Sequence, residues 1–195
     1  MRRLTGAVLA RHGRGMLRLV LSRIVRVAVV VGLGVSALGI APRGDAFAGG
    51  GNSPMAAATV EAHARVRQTV GVGPLRWSPS LAQLAQNWAQ QLCRRSRRGR
   101  VVLQHRPSSR FGENLHWQGG GDPPSVGDAV QSWANERTHY DPSTGRCVGG
   151  ECGHYTQLVW RATTEVGCGA ATCGSSHFTV CNYSPPGNFV GQRPY

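Results

Sequence analysis

Four side chains in this 195-residue chain have the chemistry of a polar site: His105, Glu113, Glu136 and His154. A neutral imidazole can ligate a divalent metal or take a proton near neutral pH. A carboxylate beside it can orient the ring or act as a general base. Spacing alone leaves three readings open for each histidine: metal ligand, catalytic base, or packed ring. Two sharper motifs are absent. Glu113 and His116 lack the first histidine of HExxH, since Gly112 stands in its place, and there is no GxSxG elbow.

Such a set needs elements to hold it. Met55 to Val70 is Ala-rich with apolar residues at helical spacing, and Gly71 ends it. The stretch WSPSLAQLAQNWAQQLC predicts a second helix, with Ser78 as cap, Pro79 in the first turn, and Leu81, Leu84, Trp88 and Leu92 as one apolar stripe. VVLQH, 101–105, predicts a short strand, and GGGDPP breaks the chain after it. Ser125 to Tyr140 predicts a third helix with Val126, Ala129, Val130 and Trp133 inward. Glu136 falls at the far end of that face, where a carboxylate needs a partner. DPSTGRCVGGEC is a turn-rich loop. TTEVGCGAATC and SSHFTVCNYS predict two strands joined through Cys173-Gly174-Ser175. Helices followed by strands make an α+β fold with helices layered on a sheet.

The N-terminus predicts export. Arg23 and Arg26 precede fourteen uncharged residues, Val27 to Ile40, and Ala46-Phe47-Ala48 is an A-x-A cleavage site. A run of that length is short for a membrane span. The organisation is then a signal peptide over 1–48, with Met16 as an alternative start, a flexible lead-in over 49–54, and one domain over 55–195. The product is secreted, or periplasmic in a Gram-negative host. All six cysteines follow the signal, and an even count in an exported domain predicts three disulfides. Six cysteines allow 15 pairings, and spacing does not choose among them. C-x₄-C occurs twice, but no zinc-finger pattern surrounds it.

All 22 positive residues are arginine. From Gly49 onward fourteen arginines face eight acidic residues, a net of about +6, which favours anionic surfaces at low salt. The run RRSRRGR, Arg94 to Arg100, has the charge of a nucleic-acid or heparin site. A solvated loop is the preferred reading, because an exported protein meets little nucleic acid and no aromatic residue interleaves the arginines.

Several stretches occur in a familiar order: VGVGPLRWSPSLAQLAQNWA, H…FGENL, AVQSWANE, CGHYTQLVWRAT, VGCG and CNYSPPGNFVGQRPY. Together they resemble the CAP superfamily of cysteine-rich secretory, antigen five and pathogenesis-related class 1 proteins, nearest to the plant class. The resemblance spans Met55 to Tyr195. It implies a three-layer α-β-α sandwich and a cleft holding His105, Glu113, Glu136 and His154. In that cleft His105 and His154 would bind a divalent metal such as zinc weakly, and the glutamates would hydrogen-bond nearby. It implies the pairs Cys93–Cys173, Cys147–Cys152 and Cys168–Cys181. It departs at Ala64, where the family's first helix usually carries Asn, at the inserted-looking RPSSRF, and at Thr179, usually apolar.

The function the resemblance implies is an exported, monomeric binding module for sterols, fatty acids or other lipids, or a defence role, with the loop 140–151 as the lipid element. One alternative is a metal-dependent hydrolase using Glu113 or Glu136 as base. Another is a precursor whose tail, PPGNFVGQRPY (185–195), is released as a peptide.

Overall fold

A computed structural model describes residues 53–96 and 99–195. The predicted signal, 1–48, lies outside the described residues.

Ser53 opens the first helix, accepting from the amide of Ala56, and α1 runs Pro54–Gln68. The two-residue strand β1, Arg76–Trp77, precedes α2, Pro79–Arg95. Strand β2 is Gly112–Gly119. Helix α3, Val126–Asn135, starts with a capping box in which Ser125 and Asp128 satisfy each other's amides. A 3₁₀ turn, Glu136–His139, leads into a small hairpin, β3 Tyr140–Asp141 and β4 Arg146–Cys147. Then come α4, Gly153–Leu158, and the long strands β5, Glu165–Cys173, and β6, Ser176–Ser184.

The main sheet has the order β1-β5-β6-β2, with β1 parallel to β5 and the other pairs antiparallel. Alternation along β6 divides the core. Phe178 and Val180 face α2, where Trp88, Ala89 and Leu92 bury against them. Cys181 and Tyr183 face the other way, against Val130 and Trp133 of α3 and Leu158 of α4. Ala62 of α1 joins that second core. The result is the expected α-β-α sandwich.

Two glycines set the α2 layer. A Cβ on Gly167 would sit 2.1 Å from the amide nitrogen of Ala82, and one on Gly169 would sit 2.4 Å from Cα of Gln86. Only glycine lets α2 approach β5 this closely. Beside them, the Gln86 side chain donates to the Ala170 carbonyl and accepts from its amide, covering strand edge that β1 is too short to reach.

The disulfides are Cys93–Cys173, Cys147–Cys152 and Cys168–Cys181, the pairing the resemblance implied. The first ties the end of α2 to the end of β5. Ala64 leaves α1 well anchored, since His63 and Arg67 on the same helix are both buried. Thr179 is buried as an apolar residue would be.

Four local expectations need correction. Residues 101–105 are not a strand. The Gln104 carbonyl accepts from the Trp88 indole and the Val102 amide donates to the Ser96 hydroxyl, so side chains take those backbone groups instead of a ladder. The strand lies later, at 112–119, where β6 offers a partner. The third helix ends at Asn135 and tightens to 3₁₀ before Tyr140. Leu84 is half-buried and Ala85 takes its place in the core, because Gly169 brings α2 too close for a larger side chain there. Ser78 sits at the helix start, but its hydroxyl pairs with Ser80 rather than capping.

Candidate functional site

Strand register explains how distant residues meet. Residues opposite each other on antiparallel strands share a face. Leu115 lies opposite Val180, and Glu113 opposite Asn182, so both β2 residues face the α2 layer. Asn114 between them faces the layer of α3 and α4. Because β2 ends the sheet, groups from both layers can reach its edge.

On the α2 side, Nδ1 of His105 donates to Oε1 of Glu113 at 2.8 Å. The Arg106 backbone amide donates to the same oxygen at 3.0 Å, and the side-chain Nδ2 of Asn182 donates to Oε2 at 3.4 Å. The Glu113 side chain is only 4% exposed, so these donors stabilise a desolvated carboxylate. That hydrogen bond raises the His105 pKa above its ordinary value, against a smaller opposing effect of burial.

On the other side, Glu136 closes α3 as its C-cap residue. Its carboxylate accepts from His154 Nδ1, from the His154 amide at 2.9 Å and from the Tyr155 amide at 3.3 Å. Cys152, locked to Cys147, starts the short helix α4 that carries His154. The His154 ring stacks on Trp133 with centroids 6.2 Å apart. Asn114 completes the hold by donating to the His154 carbonyl at 3.1 Å.

His105, Glu113 and His154 line one open cavity of about 450 Å³, together with Asn114 and the Cys147–Cys152 pair. Glu136 stands behind His154 and is not part of the lining. Sequence reasoning missed Asn114 and Asn182. The signal for Asn114 was its place next to Glu113 on a strand, where alternation aims the pair at opposite layers. Nothing in the sequence pointed to Asn182. His116 shares the Asn114 face; burial lowers its pKa, and its buried Nδ1 has no partner among the described residues.

Both site histidines spend Nδ1 on a carboxylate, leaving Nε2 without a hydrogen bond among the described residues. That is the chemistry of an oriented imidazole ligand, so the donor set fits a divalent cation. Among the described residues no three His, Cys, Asp or Glu side chains gather as a metal site. The fit is thus to two imidazoles with water completing the shell, as in a weak site.

A second cavity, about 660 Å³, lies between α1 and α3. Ala62, Val66, Val130, Ala134 and Tyr155 make its apolar wall, and Arg65 and Arg137 also line it.

Comparison with known proteins is consistent throughout. The family model described as "Cysteine-rich secretory protein family" matches residues 60–183. A pathogenesis-related protein of PR-1 type from Sambucus nigra is 45% identical over 138 residues, covering 70% of this chain and 79% of the relative. Pathogenesis-related leaf protein 4 of Solanum lycopersicum is 49% identical over 135 residues, 68% of this chain and 79% of the relative. Among solved structures, venom allergen-like protein 4 of Schistosoma mansoni aligns with a TM-score of 0.54 and 31% identity, over 73% of this chain and 94% of that one. NaASP2, solved with Zn²⁺, aligns with a TM-score of 0.60 and 24% identity over 73% and 86%, a likeness of fold alone.

Proposed function

The chain belongs to the cysteine-rich secretory protein (CAP) family, and on that premise we propose that it is an exported, defence-type binding module whose ligand is a lipid held between α1 and α3. The observation that carries this reading is the apolar groove of about 660 Å³ with Arg65 and Arg137 in its lining. That volume suits one amphiphile. An acyl chain would cover the Ala62, Val66, Val130 and Ala134 wall, and an acidic head would pair with a guanidinium. The support is stronger here than at 140–151, where Val148 is the one large apolar side chain strongly exposed among the described residues. No helix among the described residues is long and apolar enough to cross a membrane.

The test is titration of the secreted protein with a fluorescent fatty acid and a fluorescent sterol. Ala134→Phe fills the groove and should abolish binding. A replacement of loop 140–151 should leave it intact. Binding that survives Ala134→Phe and disappears in the loop variant would overturn the groove assignment.

At the sheet edge, we further propose that His105 and His154 take a divalent cation such as zinc through Nε2. When bound, such an ion supplies a Lewis acid. The chain's own part is to hold each ring by its carboxylate. The hydrolase alternative has no specific observation behind it.

The tail reads as structural cover. The Gly187 amide donates to Gln157, Asn188 donates to the Gly153 carbonyl, and Arg193 donates to the carbonyls of Pro142 and Ser143. Tyr195 ends it against the phenol of Tyr155.

A further inference from the structure

From Arg94 to Phe111 the chain carries seven arginines and no acidic residue. Arg97 and Arg98 lie outside the described residues, and the docking surface is built without them. Among the described residues Arg95, Arg100, Arg106 and Arg110 form no salt bridge. Their partners are neutral. Arg95 donates to Gln104 and lies over the Trp88 ring, Arg106 donates to Ser109, and Arg110 lies over Phe111. Their positive charge is therefore uncompensated.

The same region exposes apolar surface. Val101 is 37% exposed and Leu103 48%. Trp117 is 39% exposed and lies opposite Phe178, which places it on the α2 side of the edge strand. The segment is held, since Ser96 and Trp88 fix its backbone at Val102 and Gln104, and Cys93–Cys173 fixes the end of α2.

We propose that this face docks on an anionic lipid bilayer. Guanidinium groups attract the head groups, while apolar side chains and the indole enter the interfacial region. A soluble polyanion would satisfy the arginines but leave Val101, Leu103 and Trp117 in water. The surface belongs to the α2 layer, whereas the lipid groove lies between helices of the opposite layer, so the two readings stand independently.

The experiment is flotation of the secreted protein with vesicles of phosphatidylcholine alone and of phosphatidylcholine mixed with phosphatidylglycerol, with soluble heparin as competitor. The protein should float only with the mixed vesicles. Arg100→Glu with Arg110→Glu should weaken partitioning by about 25-fold or more, at roughly five-fold per arginine. Val101→Ser with Leu103→Ser should weaken it about ten-fold. Circular dichroism confirms that each variant is folded. Ala134→Phe should leave flotation unchanged; if it abolishes flotation, the lipid contact belongs to the groove and this proposal fails. No flotation with the mixed vesicles overturns it. So does an unchanged Val101/Leu103 variant, or heparin binding without vesicle binding, since either outcome describes a polyanion surface.

Discussion

The phenol of Tyr183 donates to Nε2 of His63 across 3.0 Å, joining β6 to α1 over 120 residues of sequence. Nδ1 of the same ring lies 2.8 Å from the Thr59 carbonyl, which can only accept, so Nδ1 carries the hydrogen. The ring is fully buried and neutral. Burial lowers its pKa to about 4, and the nearby Arg67 charge adds to the effect. Because the folded value lies below the unfolded one, the unfolded chain takes up the proton first as pH falls. Stability should be complete above about pH 6.5 and fall by on the order of 3 kcal/mol as pH drops towards 4. Urea denaturation across that range measures the slope. His63→Gln should flatten it, and an unchanged slope would assign the effect to other groups.

Arg67 is the buried clamp of α1. Its guanidinium donates to the carbonyls of Gly73, Leu158, Trp160 and Thr163. Burial pulls its pKa down to about 10, still far above neutral, so it remains charged. Arg67→Met removes every donor at once and should cost roughly 3 kcal/mol or more, because the carbonyls of Gly73, Leu158 and Thr163 lose this partner, while that of Trp160 keeps the Thr163 amide. Arg67→Lys should recover only part of this, as an ammonium lacks the planar fork. A midpoint shift in denaturant below about 1 kcal/mol for Arg67→Met would contradict the clamp.

Gly169→Ala should destabilise by about 3 kcal/mol, at the upper end of overpacking costs. The added methyl meets the backbone of α2 at Gln86, which cannot move aside like a flexible side chain. The control is Gly174→Ala. Gly174 has space around it, so only its φ of +60° resists the substitution, and thermal melting should show a smaller loss, about 1 kcal/mol.

Glu136→Gln should weaken zinc binding at least about ten-fold while leaving the fold intact. A neutral amide cannot replace the carboxylate that accepts from the ring and from two backbone amides. Calorimetric titration with zinc gives the affinity, and the His154 ring nitrogen shifts report the tautomer. An unchanged tautomer and affinity would show that Glu136 does not orient the ring.

Much of this arrangement is legible in the residues. The α3 face of Val126, Ala129, Val130 and Trp133 is buried as its periodicity predicts. Both long strands lie where alternation and turn residues put them. Strand β2 was not legible, because its apolar face carries only Leu115 and Trp117, with Glu113 in line with them, and the opposite face of Asn114, His116 and Gln118 is polar. An edge strand over a polar cleft has little apolar alternation to show. Helix α4 was hidden for a related reason: at six residues it has too few turns for a period, and Glu136, distant in sequence, satisfies its first amides.

Cysteine number, helix faces and the types of the four site residues were therefore determined by the sequence itself, since each depends on local periodicity or composition. Which carboxylate serves which histidine was decided only by tertiary structure. His105 finds Glu113 because β2 turns it towards the α2 layer, and His154 finds Glu136 because α3 ends where α4 begins in space. Those pairings follow from strand register and layer packing, which act between residues far apart in the chain.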